Sequence, residues 1–256
     1  MRYIYFHCEG NIFECSGISP HDLSDGVATK VQNLLLLRSE LLGNYCIKNF
    51  EVIEGHEALA EKFAQPQNGF AVGDLHFVDY AQSGMPERLS EEDIKTLLYA
   101  SHMRKIPQNP IFETLQNRLF WLSHDDDWYC HLYVKKQEVF FALLAYALRR
   151  ISHEQQKRPR KRFWHIQKPE IEQITDIVPT MEDAVQRELY RIGGQGVLLS
   201  VTESAMSYNV YVLGRFSDMD EMNSCWERGK AVLAAQLRVS ANGWTITLVE
   251  NGGVSS

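Results

Sequence analysis

The sequence predicts an α+β protein: two α+β domains with antiparallel or mixed sheets, joined by a basic linker. Three observations lead there. Apolar runs of strand length recur among stretches of helical periodicity along 256 residues, a length that suits one large domain or two small ones. Charge is unevenly spread, with a net −6 over residues 1–152, +5 over 153–168 and −6 over 169–256. Pro159 within the basic strip and Pro169 just after it interrupt helix. The expected division is therefore an N-terminal α+β domain (1–152), a basic linker (153–168) and a C-terminal α-β-β-α-β domain (169–256).

The first element reads as a hairpin, MRYIYFHC and IFECSG about a Glu9-Gly10-Asn11 turn, because Gly-Asn accepts positive φ. Ser19-Pro20-His21-Asp22 then reads as a helix start, with a capping serine and proline in the first turn. Val27, Val31, Leu34, Leu35 and Leu41 supply a core face at helical spacing, so this helix is expected to reach about Leu42. A strand over Tyr45–Ile53, a short helix over Glu57–Phe63 and a strand over Phe70–Tyr80 follow. Ser90 before Glu91, Glu92 and Asp93 is another capped start, burying Ile94, Leu97 and Leu98. Two aromatic-rich runs around Asp125, Asp126 and Asp127 form a second hairpin over Leu119–Val134. The helix expected over Glu138–Ile151 is apolar nearly all round, so it is sandwiched inside the fold or against a partner.

In the C-terminal segment Thr180 and Asp183 cap a helix ending at Ile192, and Gly193-Gly194 stops it. Val197–Thr202 and Val210–Phe216 are expected to pair antiparallel. Ser217 and Asp220 then open a long helix to about Arg238, with Met219, Met222 and Trp226 as a core stripe. Asn242-Gly243 turns the chain into a last strand, Trp244–Glu250.

Apolar residues make up 45% and charged residues 23%, the balance of a soluble globular protein. The net charge of −7 opposes phosphate backbones and anionic membranes, so nucleic acid is an unlikely bulk partner and no membrane association is expected. The opening MRYIYF is too short for a secretory core, and Val139–Leu148 is half a membrane span. Five scattered cysteines without a C-x-x-C pair, and no N-x-S/T acceptor, fit a reducing cytoplasm.

Two constellations could carry chemistry. Clustered carboxylates suit hard cations and imidazoles suit zinc or iron, so His124, Asp126 and His131 could hold a divalent metal ion. The histidines face each other if pairing centres between Asp127 and Trp128, and a one-residue slip parts them. Asp74 and His76 share a strand face. Gly73-Asp74-Leu75-His76-Phe77 resembles the opening element of the calcineurin-type metallophosphoesterases. That family's Asp-Arg and Gly-Asn-His motifs are absent, so the resemblance stops at about five residues and assigns no family.

Convergence of Asp74, His76, His124, Asp126 and His131 would suit metal-assisted hydrolysis. In the linker Lys157, Arg158, Arg160, Lys161 and Arg162 adjoin Phe163 and Trp164, a cation-aromatic run able to touch nucleic acid or an acidic partner. No dinucleotide loop, Walker loop or nucleophile elbow occurs. The leading expectation is thus a non-enzymatic, cytoplasmic protein-binding or regulatory protein without a cofactor, taking a protein partner or forming a homo-oligomer. A metal-dependent hydrolase is the alternative, and nucleic-acid contact a weaker one.

Overall fold

The computed structural model describes residues 3–23, 31–37, 45–64, 75–124, 129–156, 171–194, 196–201, 207–215, 221, 231–240 and 243–249. Its strands are β1 (Tyr3–Glu9), β2 (Ile12–Ser16), β3 (Asn33–Leu37), β4 (Phe50–Glu54), β5 (His76–Asp79), β6 (Leu119–His124), β7 (Tyr129–Val134), β8 (Gly196–Val201), β9 (Ser207–Leu213), β10 (Val232–Ser240) and β11 (Gly243–Leu248). The helices are α1 (Pro20–Asp22), α2 (His56–Ala64), α3 (Glu91–Met103), α4 (Gln137–Gln156) and α5 (Ile171–Ile192).

The expected pair of α+β domains on a basic linker is overturned. The strands form one eleven-stranded antiparallel sheet, in the order β11-β10-β9-β8-β1-β2-β7-β6-β5-β3-β4. Two stretches expected as helix turn out to be strands, and both lie inside that order. Asn33–Leu37 pairs with β4 on one side and β5 on the other, and all five residues are buried. A strand covered on both faces reads as a solid apolar run, which periodicity cannot separate from a buried helix. Val232–Ser240 likewise pairs with β9 and β11, with Ala234, Ala235 and Leu237 buried. Its alanines favour helix intrinsically, and burial between two strands overrides that preference. Met219, Met222, Trp226 and the basic residues of the expected linker lie outside the described residues.

The chain divides into two compact units, Glu9–Leu143 and Met1–Cys8 with Leu144–Ser256. In the first, register assigns Leu35, Leu37, Val78, Phe120, Leu122 and Tyr133 to one sheet face. These join Ile94, Leu97 and Ala100 of α3 in one core cluster. The Ser90 hydroxyl accepts from the Asp93 amide (3.1 Å) and the Asp93 carboxylate from the Ser90 amide (3.4 Å), the reciprocal cap expected for α3. On the opposite face Phe77 stacks on Trp121 (5.7 Å), Phe63 of α2 meets Phe77 edge-on, and Phe140 of α4 stacks on Phe13 (3.8 Å). Phe140, Phe141, Leu143, Leu144, Ala147, Leu148 and Ile151 are all buried, so this apolar side of α4 is covered within the chain.

In the other unit β11, β10, β9, β8 and β1 lie side by side, and α5 packs on β11, β10 and β9. Val178, Met181, Ala184, Val185 and Glu188 form its buried stripe. The helix begins at Ile171 and runs through Pro179, upstream of the cap expected at Thr180. Proline removes one helix hydrogen bond, and the continuous stripe against the sheet holds the helix across the gap. The Gly193-Gly194 stop is as expected. Gly193 takes φ 60°, and a Cβ on Gly194 would sit 2.6 Å from the Leu213 carbonyl oxygen.

Candidate functional site

The aspartate-rich hairpin pairs Leu119 with Val134 through to His124 with Tyr129. Pairing thus centres between Asp126 and Asp127, not between Asp127 and Trp128, but this shift leaves both histidines on one face. His131 stands opposite Leu122, so His124 and His131 are diagonal neighbours with ring centroids 4.4 Å apart. Tyr129 stacks on His124 at 4.6 Å.

One carbonyl joins the pair. Arg104 ends α3 in the left-handed region (φ 51°, ψ 36°), and its amide returns to the Ala100 carbonyl. Its own carbonyl oxygen lies 2.5 Å from His124 Nε2 and 3.1 Å from His131 Nδ1. A carbonyl only accepts, so both ring nitrogens donate. His131 Nε2 lies 3.1 Å from Glu14 Oε2 on β2, in an arrangement that puts both nitrogens of that ring on oxygen acceptors. The cluster ties the end of α3 to β2, β6 and β7. Glu14 and Arg104 were invisible as partners in the sequence, since only register brings residues 14, 104 and 131 together.

His76 lies in the same cross-strand row, which runs Leu37, His76, Leu122, His131, Glu14. It is 2% exposed and stands two strand spacings, roughly 10 Å along the sheet, from His131. Asp74 and Asp126 lie outside the described residues, as do Lys157, Arg158, Arg160, Lys161, Arg162 and Trp164. Among the described residues no three His, Cys, Asp or Glu side chains are arranged to hold a metal ion.

Two surface features were not anticipated from the sequence. The outer side of α3 and Tyr45 enclose an open cleft of about 590 Å³ that includes Glu92, Lys95, Tyr99 and His102. Lys95 Nζ lies 2.8 Å from Glu91 and 5.2 Å from the Tyr45 ring centroid, while Tyr99 is 67% exposed. The Glu91 carboxylate raises the Lys95 pKa, so the ammonium is kept charged.

The second feature is the outer edge of β11. Ser240 pairs with Gly243 and Ala235 with Leu248, and the Val249 amide donates to the Ala234 carbonyl (3.0 Å). Antiparallel alternation then turns the backbone groups of Trp244, Ile246 and Leu248 away from β10. Among the described residues no strand lies beyond them. The strand, GWTITL, contains neither charge nor proline, the usual devices that blunt an edge. Thr245, Thr247 and Leu248 are exposed. Trp244 anchors the strand by stacking on Tyr208 (5.8 Å, 26° between planes).

No protein-family model, curated protein or solved structure matches this chain. No helix among the described residues is long and apolar enough to cross a membrane.

Proposed function

We propose that the protein is a non-enzymatic binding protein that self-associates, a second copy adding its own β11 to the outer edge of β11. The observation that carries this reading is the uncharged, proline-free strand Gly243–Leu248 with outward backbone groups at Trp244, Ile246 and Leu248. Such an edge is a template for another strand. Antiparallel pairing about a two-fold axis sets a strand against itself, so one sequence supplies both sides of the contact. A six-residue strand buries less than the usual stable interface, so the dissociation constant belongs in roughly the micromolar range. A cytoplasmic setting accompanies the proposal, supported by five scattered cysteines without a C-x-x-C pair.

Sedimentation velocity on the full chain tests it. Over a concentration series the mean mass should rise toward that of two chains. Thr245→Lys with Thr247→Lys, at exposed positions, brings like charges together across the two-fold and should weaken association at least about tenfold, with unfolding by urea nearly unchanged. A wild-type chain that stays single throughout, or a doubly charged variant that associates equally well, overturns the reading.

A further inference from the structure

We propose that Cys15 and Cys130 form an oxidation site, a dithiol that hydrogen peroxide closes into a disulfide between β2 and β7. In sequence the two are 115 residues apart, and nothing in their spacing joins them. Register does: Cys15 is the direct cross-strand partner of Cys130, and the sulfurs lie 3.2 Å apart. The Val134 amide donates to the Asn11 carbonyl (3.0 Å), which fixes the alternation along this pair of strands. Cys15 and Cys130 thereby fall at a hydrogen-bonded position, where opposite Cα atoms are about 5.5 Å apart, inside the span that a disulfide bridges. Rotation of the side chains closes the remaining gap, and the strands stay paired.

Burial selects the reagent. Cys15 is 0% and Cys130 2% exposed, so attack proceeds through local opening, which admits a molecule of nearly water's size far more readily than a bulky disulfide such as oxidised glutathione. In the first step one sulfur, as thiolate, attacks a peroxide oxygen. The O–O bond breaks, hydroxide leaves, and a sulfenic acid remains. The second sulfur then attacks the first, the S–O bond breaks, and the departing oxygen leaves as water. In sum two thiols and one peroxide give one disulfide and two waters. The two sulfurs lose the two electrons that the peroxide gains. The bridge joins neighbouring strands across a long stretch of chain, so it constrains the unfolded state more than the folded one.

The test treats the native full chain with hydrogen peroxide, removes the excess with catalase, alkylates under denaturing conditions and maps peptides by mass spectrometry. Cys15 and Cys130 should leave the alkylated pool together as one cross-linked peptide and return with dithiothreitol. Oxidised protein should melt higher by roughly 5–15 °C. Cys130→Ser and Cys130→Ala should each abolish both the bridge and the shift, whereas Cys46→Ser should keep them. Oxidised glutathione at equal concentration should act far more slowly. Recovery of both thiols as alkylated cysteine, sulfinic acid at either position without a bridge, or a bridge to Cys8, Cys46 or Cys225 would overturn the assignment.

Discussion

At one end of the strand order β4 is Phe50-Glu51-Val52-Ile53-Glu54; at the other β11 is Gly-Trp-Thr-Ile-Thr-Leu from Gly243 to Leu248. Polar groups fasten the first. Lys62 of α2 reaches both oxygens of Glu51 (2.8 and 3.1 Å), and Glu54 accepts from the Tyr80 hydroxyl (3.1 Å) and the Ser83 hydroxyl (2.8 Å). Buried Asn33 donates to the Tyr80 carbonyl (3.3 Å) and accepts from the Gly55 amide (3.2 Å). At β11 the fastening is apolar, by Trp244 on Tyr208 and by α5 packed against the strand. Carboxylates along β4 repel an incoming strand while they hold their own neighbours, whereas β11 is held from its face and its rim is left chemically plain.

The largest test of that contrast removes the apolar fastening. Trp244 is only 6% exposed, so Trp244→Ala should cost about 3–5 kcal/mol. Urea unfolding measures the loss, and hydrogen exchange should show β10 and β11 amides opening while β3 and β4 remain protected. Equal loss of protection in β3 and β4 would mean that the two ends are not separately fastened. The matching change at β4 is Asn33→Ala, which takes the side-chain donor from the buried Tyr80 carbonyl while the Gly55 amide keeps the Gln32 carbonyl, and should cost about 1–3 kcal/mol. A cost below about 0.5 kcal/mol would show that these polar links are incidental.

The same contrast separates what the residues disclosed from what they concealed. The capped start at Ser90, the turn at Gly10 and the Gly193-Gly194 stop rest on local chemistry, and each was legible. Leu34–Leu37 was not, because a strand buried on both faces presents no polar face to give a period of two; in Val232–Ser240 the alanines read as helix although Gln236 and Arg238 alternate with buried Leu237. The aspartate-flanked histidines were legible as a pair, while their partners were not. Glu14 and the Arg104 carbonyl reach His131 only through strand register and the left-handed end of α3. Cys15 and Cys130 were concealed for the same reason. The edge character of β11 was unreadable too, since composition shows that a strand lacks charge but not which strand comes last.

The smallest expected effect is on the pH dependence of the β4 end. Burial and then the neighbouring Glu54 charge raise the Tyr80 pKa above the ordinary phenol value of about 10. A raised native pKa means that the folded chain keeps this proton after the unfolded chain has lost it. The contribution is therefore fully present below about pH 10 and declines as pH rises toward the native value. Tyr133, raised mainly by burial, adds a slope of the same sign. Tyr80→Phe deletes the hydroxyl that reaches Glu54 and the Ile53 carbonyl, and should cost about 0.5–1.5 kcal/mol at neutral pH. Above pH 10 the penalty should shrink, because the wild type is losing stability that the phenylalanine variant never had. Urea midpoints at pH 8, 10 and 11 read this directly. A penalty that stays constant or grows with pH would place the Tyr80 proton outside the fastening of β4, and would remove one of the polar links that set this end of the strand order apart from β11.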